Sequence, residues 1–326
     1  MSVLTFVIPV CIKKTDEEGI YQFRKTLKSI ELQSSKDWSV VIIDDNSQND
    51  ALTSLLDEFK TNVTQSIIVH QNMINLRPGA SRNIGINIAK EDLKSDYVMF
   101  IDADDINNLS RVEETHDVIN HASPDVIYSH FIPVDSNDVP INIDELSYSI
   151  QHIMLALLSP PSGSDVWKEM LLGKGYINLT SSTTVKTDLA MKFPFSEDIH
   201  CEDACTWLQY GMYGADFYYT PNIPSLYRIP NAQKGSISRE YIGNDSFYTD
   251  FVKSVIRGLN AGIPYLISKG ITDEYIKLLV VKYVDLVESI LKQEGVYYIN
   301  DKIENMMIGY KKSNEIYLRE DAFILL

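Results

Sequence analysis

Three carboxylates, Asp102, Asp104 and Asp105, fall within four positions at the end of the run Asp-Tyr-Val-Met-Phe-Ile-Asp-Ala-Asp-Asp, residues 96–105. Like charges this close raise one another's pKa and cost stability unless something cationic sits among them. Oxygen-only ligands with open positions suit Mg²⁺ or Mn²⁺. The five apolar residues before them, 97–101, have the length and content of a strand buried on both faces, as in the middle of a parallel sheet. Ligands of open α/β sheets bind at the carboxyl ends of the strands, where these acids fall. An isolated Asp-x-Asp reads equally well as a solvated acidic turn after a core strand. The rest of the first half of the chain separates the two.

Residues 4–10, Leu-Thr-Phe-Val-Ile-Pro-Val, are β-rich and apolar, with Pro9 near the end where a missing amide donor is tolerable. A second buried strand, 38–45, closes on Asp44 and Asp45, and a third is expected at 66–70. Between them lie a partly amphipathic helix carrying Tyr21, Leu27, Ile30 and Leu32 and a second carrying Leu52, Leu55, Leu56 and Phe59, with Asn46, Ser47 and Asn49 as turn and N-cap residues. A Pro78-Gly79 turn is expected before a helix over 80–89, placing Arg82 and Asn83 in its first turn. Regular alternation of strand and helix over the first hundred residues predicts an α/β fold with a parallel, doubly wound sheet. Residues 124–132 read as a further strand. From about Asp245 the pattern turns helical, and Ile276, Leu279, Val280, Tyr283, Val284, Leu286, Val287, Ile290 and Leu291 recur at helical spacing. That stripe reads as packing on the rest of the chain or on a twin subunit, in preference to lying on a membrane.

A net charge of -16 over 326 residues argues against nucleic acid as a partner and against docking on anionic lipid through bulk charge. Cys11, Cys201 and Cys205 form no Cys-x-x-Cys pair, which favours a reducing compartment. Neither a leader nor an apolar run of about 18 residues is legible, so a cytoplasmic protein with at most peripheral membrane contact is expected. No glycine-rich phosphate loop follows the first strand, which excludes a Rossmann fingerprint and a Walker motif. A phospho-receiver and a dehalogenase-type phosphatase fail on order, because their acids close the first strand.

Four ordered segments, Thr5-Phe-Val-Ile-Pro-Val10, Val41-Ile-Ile-Asp-Asp-Asn-Ser47, Asn75 with Ala80-Ser-Arg-Asn-Ile-Gly85, and Phe100-Ile-Asp-Ala-Asp-Asp105, together resemble the family 2 glycosyltransferases of GT-A fold. The resemblance implies a Rossmann-like, mainly parallel sheet with flanking helices and a C-terminal helical region. It implies that Pro9, Val10 and Cys11 approach the nucleobase, that Asp44 or Asp45 accepts from the base imide, and that Arg82 lies against the base or reaches the phosphates. The family often has Asn where this chain has Cys11. Asp102 and Ala103 would address the ribose, and Asp104 with Asp102 would hold Mn²⁺ or Mg²⁺ between the enzyme and the diphosphate.

The later segment Phe193-Pro-Phe-Ser-Glu-Asp-Ile-His-Cys-Glu-Asp-Ala-Cys-Thr-Trp207 resembles the family's Glu-Asp element leading into a helix. This implies Asp203 as general base beside Glu202, with Asp198 of the second Glu-Asp pair as its rival. Trp167, in a Pro-, Ser- and Gly-rich stretch near Tyr176, would face the acceptor or simply pack. Arg228 and Lys234 would close over the diphosphate from a mobile loop at about 228–240. The expected organisation is a catalytic domain over 1–244, with a nucleotide-binding half to 110 and an acceptor half beyond, followed by a helical appendage over 245–326. The implied activity is inverting transfer from a nucleotide donor, UDP by family habit, to a glycan or lipid-linked saccharide in surface polysaccharide synthesis. A non-catalytic binding subunit of the same fold is the first alternative and a nucleotide-sugar pyrophosphorylase a distant second.

Overall fold

A computed structural model describes residues 2–197, 201–229, 245–297, 301, 303–305 and 316–318. The strands are β1 (Leu4–Val10), β2 (Ser39–Asp44), β3 (Ile67–Gln71), β4 (Tyr97–Phe100), β5 (Val126–Tyr128), β6 (Phe131–Val134), β7 (Thr183–Lys186), β8 (Phe217–Tyr219) and β9 (Ser225–Arg228). The helices are α1 (Glu17–Glu31), α2 (Asp50–Asn62), α3 (Arg77–Glu91), α4 (Arg111–His121), α5 (Tyr148–Ala156), α6 (Val166–Glu169), α7 (Thr187–Lys192), α8 (Glu202–Tyr213), α9 (Asp245–Ser268) and α10 (Asp273–Gln293). They group into two compact units, one drawn from Met1–Ile141, Asn178–Asp198 and Tyr218–Gly235, the other from Asn142–Ile177, Ile199–Phe217 and Ser236–Leu326.

The first unit is built on a seven-stranded sheet of order β3-β2-β1-β4-β7-β5-β8, with β6 and β9 paired beside it. The expected α/β fold is observed. β1, β2, β3 and β4 run parallel, whereas β7 enters antiparallel between β4 and β5 and makes the sheet mixed. One sheet face, with Phe6, Ile8, Val40, Ile42 and Met99, forms a core with Phe23, Leu27 and Ile30 of α1, Leu52, Leu55 and Phe59 of α2 and Val112 of α4. Asp16 caps α1 by accepting from Gly19 N–H, and Asn49 caps α2 through Ala51 N–H, as its place ahead of the apolar stripe anticipates.

α3 lies on the opposite face. It starts at Arg77, so Pro78 and Gly79 form its first turn instead of a turn before it, and Arg82 and Asn83 fall in the second. Proline is at ease there because the first N–H groups of a helix have no intrahelical acceptor. A Cβ on Gly85 would stand 2.5 Å from Val7 Cγ1 and 3.5 Å from Ile43 Cγ1. Val7 is a β-branched residue of a central strand and has no rotamer into which to retreat. Gly85→Ala should therefore destabilise the protein by about 1–3 kcal/mol, more than the roughly 1 kcal/mol that helix propensity returns. Urea unfolding reads this out, and an unchanged midpoint would mean that α3 can lift off β1 freely.

In the second unit, α9 lies closely on α8. A Cβ on Gly258 would meet Cys205 Cα and O at 3.2 Å, and one on Gly262 would meet Met212 Cβ at 2.7 Å. α10 buries Ile276, Leu279, Val280, Tyr283, Val284, Val287 and Leu291, the stripe read from the sequence, and packs on α5, on α9 and on the turn Met170–Lys174. Among the described residues no helix is long and apolar enough to cross a membrane.

Candidate active site

The carboxyl ends of β2 and β4 carry the acids predicted for the donor, and the end of β1 lies between them. Asp45 follows β2 and is buried. Its Oδ1 accepts from Asn72 Nδ2 and Leu76 N–H, and its Oδ2 from Arg77 N–H, all at 2.8 Å. The acid thereby pins the β3–α3 connection, including Arg77 at φ 71°. Its own N–H donates to Val10 O at 2.8 Å, which fixes the end of β1 beside Pro9. Asp44 is less committed. Oδ1 accepts from Ser47 N–H at 2.9 Å, while Oδ2 takes a longer bond, 3.2 Å, from Gln71. Cys11 is exposed next to them and receives a hydrogen bond from Asn75.

The acidic turn after β4 is held at every residue. Asp102 N–H donates to Ser181 Oγ at 3.0 Å, Ala103 O accepts from Thr26 Oγ1 at 2.9 Å, and Asp104 O accepts from Arg228 Nε at 2.8 Å. Asp105 N–H closes the turn on Asp102 O, and its Oδ1 accepts from Arg228 N–H at 2.7 Å. Behind the turn, fully buried Arg111 donates to Phe100 O, Asn107 Oδ1, Ser181 O and Thr183 O at 2.7–2.9 Å. Burial without a carboxylate partner lowers its pKa to about 9, and it still serves as a four-point brace. Arg82, 4% exposed, pairs with Asp102 Oδ1 at 2.6 Å and lies over the Phe195 ring. Its neighbour Asn83 exchanges two 2.9 Å bonds with the Phe195 backbone. The expected role of Arg82 against the base thus competes with a buried ion pair that orients Asp102.

Arg228 differs from expectation. It belongs to β9, is 4% exposed, and spends Nε on Asp104 O, Nη1 on Asp135 O and Nη2 on Asp138 at 2.6 Å. Asp138 also takes Lys25 at 2.6 Å; although burial opposes it, these two cations hold its carboxyl below the usual range. With its guanidinium held on three sides, Arg228 is placed as a brace for the acidic turn, and that arrangement competes with the expected role over the diphosphate. Neither Arg111 nor Asp138 stands out in sequence, because their partners lie far along the chain.

Burial, reinforced by Asp102, pushes the Asp104 carboxyl up to about 6, and burial with Asp104 and Asp102 raises Asp105 further. Asp102 Oδ1 is paired with Arg82 and Asp105 Oδ1 accepts from the Arg228 backbone N–H, while the Asp104 side chain shows no such tie among the described residues. Among the described residues no three His, Cys, Asp or Glu side chains gather as a closed metal cage. The donor set of a half-buried, oxygen-only carboxylate with a second beside it nonetheless fits a divalent cation of the Mg²⁺ or Mn²⁺ type, which binds through one or two carboxylates and fills its shell with substrate phosphate and water.

In the second unit Asp203 sits in the first turn of α8, after Cys201 in the left-handed region at φ 58°. Its Oδ1 accepts from Ala204 N–H at 2.9 Å and its Oδ2 from the Tyr176 hydroxyl. Glu202 is buried, with its carbonyl accepting from Thr206 Oγ1. Trp167, 1% exposed, packs with Nε1 on Asp165. Its covered faces cannot stack on a sugar, so packing is its role. Lys234, Asp198 and most of the loop at 228–240 lie outside the described residues.

A family model described as Glycosyl transferase family 2 matches residues 7–174. The "Uncharacterized glycosyltransferase MJ1057" of Methanocaldococcus jannaschii is 25% identical over 223 residues, covering 68% of this chain and 70% of that protein. The "Succinoglycan biosynthesis protein ExoW" of Rhizobium meliloti is 37% identical over 109 residues, 32% of this chain and 30% of that one. Among solved structures, S. aureus TarS 1-349 in complex with UDP superposes with a TM-score of 0.53 at 16% identity, covering 97% of this chain and 88% of that chain. The mannosyltransferase PcManGT from Pyrobaculum calidifontis, in complex with GDP-Man and Mn2+, gives 0.51 at 10% identity over 95% and 81%. These likenesses show the same fold, and with a family match over more than half of its length the chain belongs to glycosyl transferase family 2.

Proposed function

We propose that this protein is an inverting glycosyltransferase that moves a sugar from a nucleotide donor, UDP in preference, to a glycan or lipid-linked saccharide in surface polysaccharide synthesis. The observation that carries the reading is the acidic turn braced by Arg82, Arg111 and Arg228, with the Asp104 carboxylate left over. Structural neighbours solved with UDP or with GDP-Man and Mn2+ support a nucleotide-sugar donor, and likeness to a succinoglycan biosynthesis protein supports polysaccharide synthesis.

In this reading Asp44, with acceptor capacity remaining, receives the base imide N–H, while Asp45 keeps the β3–α3 connection in place. Asp104, with Asp102, would hold Mn²⁺ or Mg²⁺, which when bound neutralises charge on the departing diphosphate. Asp203 removes the acceptor hydroxyl proton as that oxygen attacks the anomeric carbon from the face opposite the diphosphate. One displacement inverts the anomeric centre. The site of action is the cytoplasm, peripheral to the inner membrane face where a lipid-linked acceptor is presented.

A thermal-shift panel of nucleotide sugars with and without Mn²⁺ tests the donor half of this reading. One donor should raise the melting temperature by a few degrees only with metal present, since a ligand at about 100 times its Kd adds roughly 2.7 kcal/mol. UDP release on adding saccharide acceptors tests turnover. Donor affinity without any release of nucleotide would make the protein a binding subunit, and no stabilisation by any nucleotide sugar would end the proposal.

A further inference from the structure

The Asp203 carboxylate is held from outside its own helix. Ala204 N–H donates to Oδ1 at 2.9 Å, a bond that closes within one residue. The second hold comes from Tyr176, 27 residues earlier, whose hydroxyl donates to Oδ2. A phenol donates its O–H to a carboxylate, and its neutral oxygen has little proton affinity of its own. Tyr176 can therefore donate to Asp203 but cannot replace it as a base.

The tyrosine is itself anchored. It lies between buried Gly175, at φ 64°, where a Cβ would meet Leu286 Cδ2 of α10 at 3.0 Å, and Ile177, which is 0% exposed. Two fixed neighbours and a ring with two side-chain torsions make it a stiff prop. A general base has to sit within about 2.6–3.2 Å of the proton it takes, and misplacement by about 1 Å can cost a hundredfold in rate.

We propose that Tyr176 is a positioning residue for proton abstraction: its hydroxyl holds the Asp203 carboxylate in the orientation from which it takes the acceptor proton. This rests on the reading of Asp203 as the base. The geometry favours it over simple packing because the contact is made by the single polar atom of the side chain on the single acid that the chemistry needs.

The test is Tyr176→Phe, which removes one oxygen, followed by kcat for transfer, donor affinity and melting temperature. Transfer should fall about tenfold or more, with donor affinity within about twofold of the parent. The same substitution in an Asp203→Ala background, where no carboxylate remains to be held, should change the residual kcat by less than about twofold. Unchanged kcat in the single variant overturns the proposal. So does an equal loss in both backgrounds, which would assign the ring a general packing role and remains decisive even if the phenylalanine variant is less stable. Full transfer by Asp203→Asn would instead remove the base assignment itself, a separate result.

Discussion

Asp203→Asn is expected to lower transfer by about 10³-fold and to leave UDP binding intact. The amide has nearly the shape of the carboxylate, so its oxygen can still accept from Ala204 N–H or from Tyr176 and the first turn of α8 keeps its form. What disappears is proton affinity: an amide cannot take the hydroxyl proton as the new bond forms, and losing a positioned base costs about 10²–10⁴-fold. The donor acids belong to other segments, Asp44 and Asp45 after β2 and Asp102 to Asp105 after β4, which is why the nucleotide should not feel the change. Nucleotide release on adding acceptor gives the rate, and the thermal shift with UDP gives the binding. An asparagine variant that still transfers would move the base to Asp198 or to another acid.

The second large effect is expected at Asp104. Asp104→Asn abolishes metal-dependent stabilisation by the nucleotide sugar, and with it transfer, while the melting temperature of the metal-free protein stays level or rises. The first half follows from the donor set. Neutralising Asp104 removes one of the two carboxylates proposed to hold a hard cation and leaves Asp102, which already has one oxygen on Arg82. The second half follows from electrostatics. Burial and the neighbouring Asp102 raise the Asp104 pKa to about 6, so its ionised form is less favourable folded than unfolded, and stability is lost as pH rises through that range. A neutral amide removes that penalty, and the turn survives because Arg228 grips the backbone carbonyl of residue 104. Melting curves at pH 7.5 with and without Mn²⁺ and UDP-sugar measure both halves. A variant that loses stability without metal, or keeps its metal response, contradicts this account.

The acids and the strands that carry them could be read from the chain because each is a local signal. A strand buried on both faces announces itself as an apolar run, and Asp44, Asp45, Asp102, Asp104 and Asp105 stand where such runs stop. The helix stripes of α2 and α10 were legible for the same reason, since Leu52, Leu55 and Phe59, or Ile276, Leu279 and Tyr283, repeat within a few residues. What could not be read is whatever depends on meeting a distant segment. Arg228 looks like a lid cation when read beside Gly235 and the small polar residues that follow it, yet its guanidinium reaches the Asp104 carbonyl and Asp138. Arg111 looks like an ordinary helix residue until the carbonyls of Ser181 and Thr183 arrive around it. Trp167 suggests a sugar platform by type alone, and only the packing of its own unit shows its faces covered. β7 went unread because Thr183–Lys186 is short and bears no long apolar run.

The placing of β7 matters for how the chain is made. β1, β2, β3 and β4 can assemble as soon as their own sequence has left the ribosome, but the free side of β4 has to wait for Thr183–Lys186. Those residues appear about 80 positions later, which at roughly 5–20 residues per second is a delay of about 4–16 seconds. Until then a strand edge with unpaired amides and carbonyls is open to any passing chain. The hazard in producing this protein lies in that interval, and slowing initiation or cooling the culture should improve soluble yield more than adding ligand after lysis.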